Sequence, residues 1–186
     1  MTHPATVPEP GIWLIDPANS SVTFAVGHML VSRITGRFNR FDGHVTVGRD
    51  LSATGVTATL AAGSIDTNHP ERDLHLRGGK FLDAGTYPQI TYRSSTVRGS
   101  GTDYVIGGDL TVKATTLPVE LRLTYGGVTD DPLGHRRAGF LGRARFSRAA
   151  FGVAETMGLM RAGGPVVGDT VHVFLNIEAI LEDSHV

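Results

Sequence analysis

From Ile12 onward the chain alternates apolar and polar positions with a period of two, the mark of strands with one face turned inward. In SSVTFAVGHM, Val22, Phe24, Val26 and His28 share one face, and Ser21, Thr23, Ala25 and Gly27 share the other. The alternation returns in GHVTV at 43–47, VTATL at 56–60, QITYRSSTV at 89–97 and YVIGGDLTVKA at 104–114. The last two are joined by the turn signal GSGTD. PVELRLTY at 118–125 puts Val119, Leu121, Leu123 and Tyr125 on one side, and TVHVFLNIEAILE at 170–182 aligns Val171, Val173, Leu175, Ile177, Ala179 and Leu181. Several runs approach or exceed ten residues, where strands of about five or six are usual. No strand–helix–strand rhythm is present, so the sheet is expected to be antiparallel. Long strands expose long edges, and closure removes them. The expected fold is all-β with one short helix: an extended antiparallel barrel of about eight strands, whose interior is either filled or able to hold one ligand.

One segment breaks the alternation. In SIDTNHPERDLHLRGGKF, Thr67 and Asn68 offer start signals, Pro70 suits the first helical turn and Gly78 stands just past the end. The pattern predicts a two-turn helix over 70–77, too short to stand alone and so expected to dock over one end of the barrel. A second irregular stretch, GVAETMGLMRAGGPVVGD at 152–169, carries Met157, Leu159 and Met160 between glycines. Adaptable methionines suit an apolar ligand surface or a lid, although a loop folding its own apolar residues onto the barrel reads the same way. Residues 1–11 are Pro-rich and polar and read as a flexible leader, with one domain over 12–183.

Composition narrows the function. Formal net charge is −1, from 17 basic and 18 acidic residues, so the basic stripe of a nucleic-acid binder is missing. There are no cysteines, which removes disulfides, thiolate metal sites and cysteine nucleophiles. The eight histidines form no HxH, HxxxH or HExxH pair, so no metal is expected. No run approaches the roughly 20 apolar residues of a membrane span. The N-terminus, MTHPATVPEPG, lacks a basic segment followed by an apolar one, and the expected location is cytoplasmic.

The candidate chemistry is sparse. His28 on an apolar inward face needs a partner, either a polar ligand group or a neighbouring barrel residue. In ERDLHLR, Arg72 and His75 lie three apart and can face one way together, which suits an anionic head group. Asp73 lies about 100° round the helix from Arg72 and fits an Arg–Asp network pinning the helix to the rim. Ser64 and Thr67 are nearby, but no nucleophile elbow surrounds them, so no catalytic residue is assigned. The run RRAGFLGRARFSRAAFG at 136–152 holds five arginines; alternation sets Arg143 and Arg145 on one face and Phe146 and Arg148 on the other. It reads as a solvated strand face or a basic rim.

Six stretches carry a resemblance: WLIDPANSSVTFAVGHM, ITGRFNRFDGHV, SIDTNHPERDLHLRGGKFLDAGTYPQITYRS, YVIGGDLTVKATTLPVEL, FSRAAFGV and GDTVHVFLNIEA. In this order, over about residues 12–181, the chain resembles the YceI-like family of polyisoprenoid-binding, lipocalin-like proteins. The element RDLHL followed by KFLDAGTYP is the most specific piece. The resemblance implies an apolar tunnel for a long-chain isoprenoid such as a polyprenyl phosphate or isoprenoid quinone, no further cofactor, and a homodimer. It implies that His28, Arg72, Asp73 and His75 are the polar positions near the head. On that template Phe24, Val26, Phe38, Tyr92 and Leu175 are expected to line the cavity, with Met157 and Met160 beside it. Three positions depart from the family pattern: Ala114 replaces the usual Gly, Leu117 the usual Lys before Pro118, and Asn19–Ser20 the usual His–Ser. Two readings compete with the carrier. One is a small enzyme or stress protein acting on bound lipid or phosphate through His28, Arg72 and His75; the other is a dimeric interaction module whose barrel is filled by side chains.

Overall fold

The computed structural model describes residues 8–29, 31–153, 160–161, 164–165 and 167–182, with backbone alone at 160, 161, 164 and 165. Three long staves of the wall are each built from two strands in sequence. The first is β1 (Gly11–Ile15) with β2 (Ser21–His28), the second β3 (Ser32–Phe38) with β4 (Phe41–Val47), the third β5 (Gly55–Ala61) with β6 (Ile65–Asp66). After the helix α1 (Pro70–Arg77) come β7 (Gln89–Ser100), β8 (Asp103–Val112), β9 (Thr115–Asp130) and β10 (Arg136–Ser147). Two short strands, β11 (Met160–Arg161) and β12 (Gly164–Pro165), pair with each other before β13 (Val167–Leu181).

Every neighbouring pair is antiparallel, and the order runs β1–β4–β5–β7–β8–β9–β10–β13 before β13 returns to β1. The ring is therefore a closed eight-stave meander. β13 completes it twice: Ile15 faces Ala179 in β1, and Val22 faces Leu175 in β2. The first stave is interrupted at Asp16–Pro17, where the Asp16 carboxylate accepts from the Ala18 amide at 3.0 Å and the Asn19 side chain at 2.9 Å. Proline cannot donate to a ladder, so the strand must step aside here. The second and third staves bend together. The Asn39 amide donates to the Ser64 carbonyl, and the Ser64 hydroxyl accepts from the Arg40 amide at 3.0 Å.

Inward side chains collect in two clusters at opposite ends. At the end carrying the β4–β5, β7–β8 and β9–β10 turns, Trp13, Val47, Tyr104, Tyr125 and Phe140 pack into a plug. Trp13 is wholly buried, and its indole N–H donates to the Glu9 carbonyl at 3.0 Å. The opposite cluster gathers Ile65, Leu82, Ile90, Val119 and Phe151 beneath the helix.

The helix occupies the predicted residues. Its N-cap is His69 rather than Thr67 or Asn68: the His69 ring accepts from the Arg72 amide at 3.3 Å. Asn68 takes the left-handed conformation, φ 60°, that turns the chain into it. Of the residues expected in the leader, 8–11 are described: Pro8 is buried, Glu9 is held by Trp13 and Arg136, and β1 begins at Gly11. β3 has no counterpart among the strands that the alternation predicts. Its inward position 36 is glycine, and a Cβ there would run into the Phe24 ring and the Thr67 methyl. The arginine run is the strand β10, with Arg143 and Arg145 exposed on its outer face as the alternation requires.

Arg137, from the same run, ties the plugged end together. Its guanidinium donates to Asp131 at 2.7 Å, Asp16 at 2.8 Å and Glu178 at 2.6 Å. Arg137, helped by the His135 and Leu133 amides, holds the Asp131 carboxyl far below its ordinary value. Arg137 and Asn19 lower Asp16 in the same sense. A depressed folded-state pKa contributes stability above the unfolded value and loses it as pH falls toward the folded one. Arg137→Gln should therefore lower the melting temperature most at neutral pH. The gap to the parent should narrow as pH drops below about 4, read from paired thermal melts across an acid titration.

Candidate functional site

Between the two clusters the barrel encloses a cavity of about 900 Å³. That is near the upper end of the roughly 300–1,000 Å³ that ligand sites span. Its wall is the inward register of the staves. β2 contributes Val22, Phe24 and Val26; β13 contributes Val171, Val173, Leu175 and Ile177; β9 contributes Val119, Leu121 and Leu123. Phe38 and Tyr92 complete the five positions expected on the wall, with Phe24 and Phe38 rings 5.8 Å apart.

Tyr92 is the one hydroxyl-bearing ring in this lining, and its polarity is turned away from any guest. Its hydroxyl lies 3.2 Å from the Ile106 carbonyl and 3.1 Å from that of Val119, sharing its proton between them. Burial, with the Asp109 and Glu120 charges, pushes its pKa up to about 12. Gly108 makes room for the ring, since a Cβ there would meet the phenol at 2.7 Å.

Polar groups concentrate at the mouth under α1. Arg72, His75 and Lys80 line the opening, with Leu74, Leu76 and Phe81 between them. Leu74 is 68% exposed although it borders the cavity, so the mouth presents apolar surface to water. Arg148 also lines the cavity. Its guanidinium donates to three carbonyls, Gly168 at 2.8 Å, Val153 at 2.9 Å and Val167 at 3.2 Å.

Arg72 and Asp73 meet through a third residue. Thr67 donates its amide, at 2.9 Å, and its hydroxyl, at 2.6 Å, to the buried Asp73 carboxylate. Arg72 then donates to the Thr67 hydroxyl at 2.8 Å and to its carbonyl at 2.9 Å. Asp73 is thus an anchor beneath the helix and does not line the cavity, whereas Arg72 does both jobs. His28 does not line the cavity either. It sits at the last position of β2, past Val26, with its ring 3.4 Å from the Ser32 hydroxyl. Of the four expected polar positions, Arg72 and His75 border the cavity and His28 and Asp73 do not. Met157 lies outside the described residues, as does the Met160 side chain.

Among the described residues no cluster of three metal-binding side chains occurs, and no helix is long and apolar enough to cross a membrane. Residues 13–179 match the family model described as the YceI-like domain. The chain belongs to the YceI-like family. Among curated relatives of this YceI-like chain, a UPF0312 protein of Vibrio campbellii is 34% identical over 162 residues, 86% of this chain and 80% of that protein. Another, from Pectobacterium carotovorum, is 39% identical over 138 residues, 74% and 72% of the two chains. Among solved structures, Burkholderia cenocepacia BcnA superposes with a TM-score of 0.75 at 24% identity, covering 89% of this chain and 99% of its own. A polyisoprenoid binding domain from Saccharophagus degradans, implicated in plant cell wall breakdown, superposes at 0.71 with 14% identity, covering 94% and 100%. Both share the fold.

The anchor under α1 is open to test. Thr67→Val removes the hydroxyl between Asp73 and Arg72 and leaves a buried carboxylate short of a donor. The cost should be about 1–3 kcal/mol, measured by chemical denaturation. Limited proteolysis should cut first around 68–80, where α1 has lost its hold, while the strand signal in circular dichroism persists.

Proposed function

We propose that this YceI-like protein binds and carries a long-chain isoprenoid lipid, its tail in the barrel and its polar head at the mouth. The observation that carries the reading is the cavity of about 900 Å³, open at the mouth under α1, with walls mainly of aliphatic and phenyl groups. Such a wall offers no directional contact, so it favours a guest that is apolar along its length. The resemblance to a polyisoprenoid binding domain narrows that guest to a prenyl chain. Arg72, His75 and Lys80 at the opening suit a polar or anionic head, a polyprenyl phosphate or a quinone ring. The scaffold acts by desolvation and not by chemistry on the guest.

The driving force scales with buried methylenes at about 0.8 kcal/mol each, against association costs of several kcal/mol. An isoprene unit adds five carbons, so each further unit inside the cavity should tighten binding at least tenfold, about 1.4 kcal/mol. Native mass spectrometry of freshly purified protein, followed by lipid extraction, reads this directly. The expected result is a non-covalent mass matching a prenyl quinone, prenol or prenyl phosphate, on one chain or on the pair of chains that the family resemblance implies. A protein that arrives empty and takes up no added prenol would overturn the reading.

A further inference from the structure

The cavity ends on a partition one side chain thick. Val45, Val56, Leu123 and Phe140 line the large cavity, and the same four line a separate void of about 40 Å³ beyond it. Tyr104 and Tyr125 bound that void on its far side. The partition is fixed by the ring itself. Val45 and Val56 face each other across β4 and β5, and Leu123 faces Gly142 across β9 and β10. At Phe140 the ladder shifts register: Gly139 faces Gly127 but Phe140 faces Tyr125, leaving Gly126 as the extra residue of a bulge. A bulge re-aims the side chain beside it. Phe140 is 5% exposed, with its ring 5.6 Å from that of Tyr125.

We infer that this partition is a length stop, and that Val45, Val56, Leu123 and Phe140 set the longest isoprenoid tail the barrel takes whole. The inference rests on the isoprenoid reading above and adds a specificity to it. The cavity of about 900 Å³ has a fixed floor, so it takes whole only tails up to a set length. A longer tail meets the partition and leaves its remaining carbons in the water outside the mouth, where they add nothing to binding and carry the head away from Arg72, His75 and Lys80, so binding weakens. A shorter tail leaves wall atoms without partners. Removing the Phe140 ring would free the space of six carbons and join the void to the cavity, enough for about one more unit.

The test offers an equimolar mixture of all-trans prenols, of about three to nine units, to the whole chain, with the bound species read by native mass spectrometry. The parent should take up most of the prenol at one intermediate length. Phe140→Ala should move the optimum up by about one unit, and Leu123→Ala should move it the same way if the first variant does not fold. Ala58→Phe fills space above the partition from a position that lines the cavity, and should move the optimum down by about one unit. Shifts in these opposite directions establish the stop. Folded variants with the parent's optimum, or a parent that takes all lengths equally, overturn it while leaving isoprenoid binding intact. A parent that takes up no prenol overturns the isoprenoid reading itself, and the length stop with it.

Discussion

Ring closure by β13 is the constraint on which the remaining architecture depends. This strand pairs with β10 along one edge and with both β1 and β2 along the other. A backbone N–H or C=O buried without a partner costs about as much as a lost hydrogen bond, and a closed ladder supplies partners around the whole circumference. The wall can then stand without a filled core. That matters because a cavity of this size is energetically adverse: its lining atoms forgo the dispersion contacts that dense packing would give. An open sheet of the same inward composition would collapse or pair with another chain. Here the hydrogen-bonded ring fixes the distance across the barrel, and the end clusters supply the packing that its middle lacks.

The two ends solve different problems. The plugged end is sealed by Trp13 and Phe140 inside and braced by the three carboxylates on Arg137 outside. The other end must let a guest pass, so it is covered by an eight-residue helix and not by a full packing layer. A helix of two turns has little stability of its own. It is retained by the Thr67–Asp73 and Thr67–Arg72 bonds and by Leu76 facing the cavity. Its exposed Leu74 and its cations make this end apolar and basic at once, which a prenyl tail with a polar head would match.

Much of this was legible in the sequence because a barrel writes its inside and outside as alternation. The Val22–Phe24–Val26 and Val171–Val173–Leu175–Ile177 sets read as single faces, and both faces line the cavity. Pro70 and Gly78 bracket the helix as their backbone preferences require. Periodicity gives the side of a residue but not its depth. His28 continues the register of β2 to its last position, where its ring lies beside the Ser32 hydroxyl and not in the cavity lining. β3 escaped because Gly36 empties an inward position for a Phe24 ring twelve residues earlier, a relation visible only across the ladder. Helix angle separated Arg72 from Asp73 but could not reveal Thr67, the residue through which both act. Arg148 was on its expected face, but its three carbonyl partners come from segments up to twenty residues away.

Selectivity in such a barrel has to come from its ends. Along the wall the hydroxyl of Tyr92 is committed to two backbone carbonyls, and its raised pKa keeps it neutral over the physiological range. A guest sliding past therefore meets one environment, and its binding free energy grows with length without distinguishing one apolar chain from another. Discrimination needs groups that respond differently to different guests. Chemical identity can be read where charged or titratable side chains border the cavity, at Asp42, Arg72, His75, Lys80 and Arg148. Length can be read only where the apolar path stops, at the four side chains before the plug. The same closed ring that permits an empty middle thus divides recognition between a polar rim and an apolar floor. It also separates the residues that tune each property by the whole length of the cavity.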